Sequence, residues 1–104
     1  MRIMIITPYL YKGRKQLNHV ISKRVDSGFL IKDAESDEFG YNRKVVFDDD
    51  TELQFVQALP KEIEDKICDK YYDVVFIDGE YNKDEIWTIR CNIIGNQRKP
   101  IIYF

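Results

Sequence analysis

The sequence predicts a single α/β domain, residues 1–104, with a mainly parallel sheet of about four strands, three helices and an antiparallel hairpin at about residues 43–57. Three observations predict this class. Short continuous apolar runs, typical of strands buried on both faces, alternate with stretches whose apolar residues recur at helical spacing. A chain of 104 residues has the usual length of one domain. Its hydrophobic share of 44% is enough to form one core.

The first half of the chain predicts a strand, a helix, a second strand and a hairpin. Residues 2–6 form an apolar run that Thr7 and Pro8 end, and apolar positions at helical spacing follow over about residues 14–25. Gly28 is a candidate helix stop, residues 29–31 read as a strand, and acidic residues 33–42 read as a loop. Two β-rich runs flank residues 48–50, which predicts a hairpin appended to one edge of the sheet.

The second half predicts two helices and two strands. Pro60 suits the first turn of a helix, and YDVVFID at residues 72–78 is the clearest buried strand. Asn82 and Glu85 have the spacing of a capping box, so a helix begins there, and Gly95 ends it. Residues 101–104, IIYF, predict a final strand.

Charge is distributed unevenly along the chain. Residues 1–32 contain seven basic residues and one acidic residue, whereas residues 33–85 contain 17 acidic and six basic residues. Either the basic region faces an anion such as phosphate, or the two signs pair across one small surface. The acidic middle, with a sequence pI near 5.4, disfavours nucleic acid as a partner.

Composition excludes several further classes. The longest apolar runs have about five residues, whereas a membrane span needs about 20, so no membrane partner is expected. Cys68 and Cys91 lack CxxC spacing, which suits a reducing cytoplasm and offers no metal cage. The single histidine, His19, has no second histidine with which to bind a metal. We therefore expect a cytoplasmic protein without a metal site.

Two segments carry polar groups where a strand ends, which is where open α/β sheets bind ligands. After the first strand come Lys12, Gly13, Arg14 and Lys15, a candidate nucleotide or phosphate site at a helix start. After the strand at residues 74–77 come Asp78 and Glu80, candidate acids for hydrated magnesium. The simpler alternatives are a solvated helix start and an ordinary Asp-Gly turn.

These two segments, TPYLYKGRKQLNHVISKR and VVFIDGEYNKDEIWTIRCNIIGNQRKPIIYF, resemble the N-terminal half of type II thymidine kinases, within the RecA-like P-loop NTPases. The resemblance implies a P-loop-like fold in which the last strand lies centrally, beside the first. It also implies that the Phe104 carboxylate lies near Lys12, Arg14 and Lys15.

The sequence departs from that family's phosphate loop, GxxxxGK[ST]. Pro8 occupies the first glycine position, Arg14 the lysine position and Lys15 the hydroxyl position. Gly79 occupies the position of the kinase's catalytic base, and the family's lid and zinc-binding segments have no counterpart here. This degenerate Walker A pattern predicts no catalytic residue and no bound cofactor.

The expected function is therefore a small non-catalytic module that binds and modulates a protein partner. A composition rich in Lys, Asp, Ile and Asn resembles that of phage accessory proteins, for which the partner is a host or nucleic-acid-handling enzyme. The candidate partner surface contains Asp48, Asp49, Asp50 and Tyr41. The alternative is a nucleotide-binding protein or NTPase that uses magnesium-nucleotide at an atypical loop, with a homo-oligomer supplying missing groups.

Overall fold

The structure, a computed structural model, describes residues 1–38, 42–67, 71–93 and 100–104. These residues form one six-stranded mixed sheet and three α-helices. A single 3-10 turn, Pro60–Glu62, leads into the second helix. The elements in chain order are β1 (Arg2–Thr7), α1 (Leu10–Asp26), β2 (Ile31–Ser36), β3 (Asn42–Phe47), β4 (Glu52–Gln57), α2 (Ile63–Ile67), β5 (Val74–Ile77), α3 (Lys83–Asn92) and β6 (Ile101–Tyr103).

The sheet contains both parallel and antiparallel pairs, in the order β2-β3-β4-β1-β5-β6. Strands β4, β1, β5 and β6 run parallel, whereas β3 is antiparallel to both β2 and β4. The predicted α/β class with three helices is confirmed, but the sheet has six strands in one mixed arrangement instead of about four mainly parallel strands with a separate hairpin. Strand β1 occupies the middle of the sheet, between β4 and β5.

Helices lie on both faces of the sheet. Successive side chains of a strand point alternately to these two faces, so each strand contributes to both. Ile3 and Ile5 of β1 pack in a cluster with Leu17 of α1. Met4 and Ile6 pack on the other face, in a second cluster that contains the buried apolar residues of α2 and α3, namely Ile63, Ile67 and Ile89. Strand β1 is thus buried on both faces, which explains its continuous apolar sequence.

Two predicted helix boundaries are confirmed by hydrogen bonds. At the end of α1, Gly28 adopts a φ of +96°, and the N–H of Phe29 donates to the Arg24 carbonyl at 3.1 Å. This is the Schellman arrangement, which a glycine adopts without steric cost. At the start of α3, Asn82 Oδ1 accepts the N–H of Glu85 at 2.8 Å, and Glu85 accepts the N–H of Asn82 at 2.9 Å. The predicted end of α3 at Gly95 lies outside the described residues.

Two element boundaries were predicted wrongly. Helix α1 begins at Leu10 and not near residue 14, because the chain turns directly after β1, where the Thr7 hydroxyl accepts the N–H of Tyr9 at 3.1 Å. Residues 33–36 belong to strand β2 and not to a loop. Every residue of β2 is exposed at the sheet edge, so the burial alternation that normally marks a strand is missing.

The positions of β4 and β6 also differ from the expectation. The hairpin is not an appendage, since β4 lies directly beside β1, with Leu53, Phe55 and Val56 buried. The last strand is not central, since β6 pairs with β5 and forms the opposite edge. The reason is that β4 and β5 occupy the two sides of β1 and leave no place for β6 there. No helix in the described part of the chain is long and apolar enough to cross a membrane.

Replacing Gly13 with Ala should destabilise the protein, although the same change inside a helix usually stabilises it by about 0.5–1 kcal/mol. An added Cβ would overlap the ring of Phe55 and lie 2.7 Å from Thr7 Cγ2. We expect a loss of about 1–3 kcal/mol in the free energy of unfolding, measured by urea denaturation. Ser22→Ala, at an exposed position of the same helix, is the control. A Gly13→Ala protein more stable than the parent would contradict this packing.

Candidate functional site

The polar residues that follow β1 and β5 meet at one edge of the sheet. The two strands are parallel neighbours, and the N–H of Asp78 donates to the Ile6 carbonyl at 3.0 Å. Thr7 ends β1 and Asp78 directly follows β5, so their side chains lie side by side. We call this end of the sheet the carboxyl edge. It corresponds to the place where both candidate segments were predicted to lie.

Asp78 is the centre of this edge. Its side chain is fully buried, with a relative exposure of 0%. One carboxylate oxygen, Oδ2, accepts the Thr7 hydroxyl at 2.6 Å. The other, Oδ1, accepts Lys12 Nζ at 2.7 Å and the N–H of Glu80 at 2.8 Å. Three donors therefore compensate the carboxylate for the water that it has lost.

Lys12 projects from the first turns of α1 and connects the helix to this carboxylate. Its side chain remains 33% exposed, and Nζ also lies 3.4 Å from Glu80 Oε2. The same ammonium lies 5.4 Å from the centre of the Phe104 ring, within the range of a cation–π contact. Lys12 thus has two carboxylates and an aromatic ring around it.

The surroundings keep both members of the pair charged at neutral pH. Burial by itself raises the pKa of Asp78, but hydrogen bonds from Lys12, Thr7 and the N–H of Glu80 outweigh it and hold that pKa below its ordinary 3.8. The hydrogen bond to Asp78 raises the pKa of Lys12 above 10.5, against the opposing effect of its own desolvation. The Lys12–Asp78 ion pair therefore connects α1 to the end of β5 at neutral pH.

The segment after β5 is a tight turn, the simpler of the two sequence interpretations. The N–H of Tyr81 donates to the Asp78 carbonyl at 3.2 Å. Gly79 N–H donates to the Phe104 carbonyl at 2.8 Å, which joins the turn to the end of β6. Glu80 is mostly exposed, with a side-chain exposure of 61%. The ring of Phe104 lies close to Lys12, whereas the expectation that its carboxylate lies near Lys12, Arg14 and Lys15 stays a prediction.

The predicted phosphate-binding residues lie inside a helix and not in a loop. Only Pro8 and Tyr9 separate β1 from α1. Gly13 is buried, and its N–H donates to the Tyr9 carbonyl at 3.0 Å, as in a regular helix. Its missing side chain allows close packing of α1 on Phe55 and Thr7. Arg14 is half-buried, whereas Lys15 is exposed and lines a depression of about 580 Å³ that also includes Lys12 and Phe104.

The acidic turn is at the opposite end of the sheet. Asp48, Asp49 and Asp50 precede β4, whose first residue, Glu52, pairs with Arg2 at the start of β1. Asp49 Oδ2 lies 2.6 Å from Arg24, and Asp50 Oδ1 lies 2.9 Å from Lys32. Asp50 has a φ of +64°, in the left-handed region. Tyr41, also assigned to this surface, lies outside the described residues.

Ion pairs join the basic first third of the chain to its acidic middle. The sequence allowed two interpretations of this charge pattern, namely a basic region that faces an anion or opposite charges that pair across the surface. The structure contains such pairs. Within the described part of the chain, the pairs between these two regions include Arg2–Glu52, Lys12–Asp78, Lys12–Glu80, Arg24–Asp49 and Lys32–Asp50. Among the described residues, no group of three His, Cys, Asp or Glu side chains could hold a metal ion.

Sequence reasoning missed Thr7 as a member of this site. Thr7 was interpreted only as the end of a strand, yet its hydroxyl both donates to Asp78 and accepts the N–H of Tyr9. A hydroxyl residue at the end of a buried strand, directly before a helix, was the available signal. The partner Asp78 is 71 residues away in sequence, so local spacing could not connect them.

Replacing Asp78 with Asn should lower the free energy of unfolding at pH 7 by about 1–3 kcal/mol, since charge-assisted hydrogen bonds are lost. It should also flatten the acid side of the stability profile. The folded-state pKa of Asp78 is depressed, so its contribution is present above the unfolded pKa and is lost as pH falls through the lower, folded value. Urea denaturation between pH 7 and pH 2 measures both effects. Exposed Glu80→Gln is the control, and identical acid profiles for parent and Asp78→Asn would contradict the assignment.

Comparisons with known proteins identify a similar fold but no family. No protein-family model and no curated protein matches the sequence. The large terminase of a thermophilic bacteriophage is similar in structure. In one crystal form, in complex with ADP, it has a TM-score of 0.62 at 9% identity over 98% of this chain. Another crystal form of that terminase has a TM-score of 0.57 at 11% identity. The chain spans about 25% of the terminase, so the similarity concerns the fold of one part of it.

Proposed function

We propose that this protein is a non-catalytic interaction module that binds and modulates a protein partner. In this proposal it acts in the cytoplasm, as a phage accessory protein on a host or nucleic-acid-handling enzyme. The observation that carries the proposal is the closed carboxyl edge, where Thr7 and Lys12 both donate hydrogen bonds to the buried Asp78.

The closed carboxyl edge argues against phosphate binding at the residues predicted for it, Lys12 to Lys15. A phosphate loop needs several backbone N–H groups around an open cavity, whereas two residues connect β1 to α1 here. A phosphate that approached Lys12 would have to replace Asp78, a buried carboxylate at 2.7 Å, and would meet the negative charge of Glu80. The electrostatic cost of that exchange favours a structural role for Lys12.

In this proposal, the protein resembles P-loop enzymes in its fold and not in its activity. The terminase similarity supports a P-loop-like fold. Pro8, Arg14 and Lys15 replace the residues that type II thymidine kinases need in their phosphate loop, and this supports a scaffold without kinase activity. The proposed function needs no cofactor and no metal ion.

Exposed aromatic side chains support a role in protein binding. Tyr72 and Tyr81 are in the core, but four other large aromatic residues of the described chain are more than half exposed, namely Tyr9, Tyr11, Trp87 and Tyr103. Tyrosine and tryptophan are enriched at protein interfaces because they combine large apolar area with a polar group. The acidic turn remains a candidate surface, although Asp49 and Asp50 are paired with Arg24 and Lys32.

A second candidate function, nucleotide binding, rests on the depression beside Lys12. It has a volume of about 580 Å³ and brings together Lys15, His19 and Phe104. A base could stack on the Phe104 ring while Lys15 contacts a phosphate. Catalysis would then require further groups, which a second copy of the chain could supply.

Thermal unfolding with ATP, GTP and dTTP, each with magnesium or with EDTA, distinguishes the two functions. We expect no change in Tm at millimolar nucleotide. A ligand at 100 times its Kd would add about 2.7 kcal/mol, which is several degrees for a domain of this size.

A magnesium-dependent shift that Lys15→Ala removes, and that the control Lys83→Ala on α3 retains, would instead establish the nucleotide-binding function. Both lysines are exposed, so neither substitution should alter the fold.

A further inference from the structure

We propose that a groove between α1 and the β5–β6 part of the sheet binds an acidic amphipathic helix of the partner protein. This inference rests on the interaction function proposed above and identifies its binding surface. The groove lies on the α1 face of the sheet, and Arg24, which pairs with Asp49 of the acidic turn, is among the residues that line it.

The helix layer on this face is incomplete within the described chain. Helices α2 and α3 contribute to the core on one face, whereas α1 alone packs on the other, against β1 and β4. Beyond α1, the strands β5 and β6 present four apolar side chains that are half-buried or exposed, namely Val74, Phe76, Ile102 and Phe104. Ile102 is 43% exposed. Such a contiguous apolar surface is typical of an interaction site.

Three of these side chains form the floor of a groove of about 400 Å³, and α1 forms its wall. Val74, Phe76 and Ile102 line the floor, while His19 and Lys23 line the wall. The groove continues into the depression beside Lys12, since Gln16 and His19 line both. The result is one continuous channel along α1, with an apolar base and a polar side.

The dimensions of the channel fit one α-helix. Adjacent strands lie about 4.8 Å apart, so two strands provide a strip about 10 Å wide, which is the diameter of a helix with its side chains. The positions from Lys12 to Lys23 on α1 span about 16 Å at a rise of 1.5 Å per residue. An occupant of about 10–14 residues would therefore cover the strip and complete the helix layer.

The charge of the channel selects an acidic occupant. Lys15, His19 and Lys23 are exposed along the wall at spacings of four residues, on one side of α1. No Asp or Glu among the described residues lines either part of the channel. Lys12 is already paired with Asp78, so Lys15 and Lys23 provide the charge available to a partner. A helix with glutamates beside an apolar stripe is complementary to this surface.

A second copy of the chain is a poorer occupant than a different protein. The apolar faces of its described helices are already used, since Leu17, Ile63 and Ile89 are fully buried in its own core. No described helix therefore offers a free apolar stripe with acidic flanks. The proposed occupant is therefore a helix of a partner protein.

A peptide-binding experiment tests the proposal. The probes are fluorescein-labelled peptides of 14 residues with a Leu stripe and flanking Glu, made in several Leu registers, and matched peptides with Lys in place of Glu. Fluorescence anisotropy in low salt measures their affinity for the intact protein. We expect at least one Glu peptide to bind with a Kd of about 10–100 μM, and its Lys counterpart to bind about tenfold or more weakly, which corresponds to about 1.4 kcal/mol.

Two adjacent positions of β6 provide a matched pair of variants. Ile102→Asp places a charge in the groove and should weaken binding of the Glu peptide about tenfold or more. Tyr103→Asp is the control, since Tyr103 has a similar exposure of 52% but points to the opposite face of the same strand. Lys15→Glu combined with Lys23→Glu should reverse the preference toward the Lys peptide. Far-UV circular dichroism verifies that each variant is folded.

Several outcomes would overturn the groove proposal. These are equal binding of Glu and Lys peptides, no binding of any peptide, or equal effects of Ile102→Asp and Tyr103→Asp. Binding of a 20-mer DNA that competes with the peptide would assign the basic wall to nucleic acid instead. Self-association that Ile102→Asp abolishes in analytical ultracentrifugation would assign the groove to a second copy.

Failure of the groove and failure of the interaction function are distinguishable. If no peptide binds and nucleotides leave the Tm unchanged, the groove proposal fails and the interaction function remains a proposal, to be tested by capture of a partner on a different surface. If a magnesium-nucleotide binds and Lys15→Ala removes that binding, both proposals fail together.

Discussion

The buried carboxylate of Asp78 is the interaction on which this edge of the molecule depends. It accepts hydrogen bonds from Thr7 at the end of β1, from Lys12 on α1 and from the N–H of Glu80 in the turn after β5. The Gly79 N–H in that turn donates a hydrogen bond to the Phe104 carbonyl, just after β6. An unpaired carboxylate in this position would be strongly destabilising, so its partners are constrained as well. One side chain therefore connects a central strand and helix α1 to the turn that contacts the residue after β6.

The same interaction determines what the carboxyl edge can do. In an open α/β sheet this edge is available to ligands, and a P-loop enzyme opens a phosphate cavity there. Here Lys12 is held by Asp78, and Gly13 allows α1 to pack closely on Phe55. The similarity to part of a phage terminase and the closed edge are compatible, because a fold can be retained while its site changes. This combination is the basis on which we propose binding and not catalysis.

The helices of the described chain cover the two faces of the sheet unequally, and this leaves a second surface partly exposed. On the α1 face, a single helix leaves Phe76 and Ile102 of β5 and β6 only partly covered, beside exposed lysines. On the opposite face, two helices cover the corresponding side chains, such as Val75 and Ile77. An apolar strip of one helix width with a basic wall is the surface that a partner helix would use to complete the layer. The two proposals therefore rest on different observations. The non-catalytic function rests on the closed polar edge, and the binding groove rests on the incomplete helix layer.

Local chemistry let the sequence by itself determine the α/β class, most elements and two helix boundaries. Apolar runs identify β1 and β5, the Asn82–Glu85 spacing starts α3, and Gly28 ends α1, because these signals act within a few residues. The strand predicted at residues 29–31 overlaps the exposed edge strand β2 only at Ile31, and the rest of β2 escaped prediction because it buries no side chain. Only the tertiary structure decided that β4 and β5 flank β1 and that Lys12 pairs with Asp78 instead of facing solvent. Strand order and the pairing of residues 66 positions apart depend on how the layers pack, and no local pattern records that.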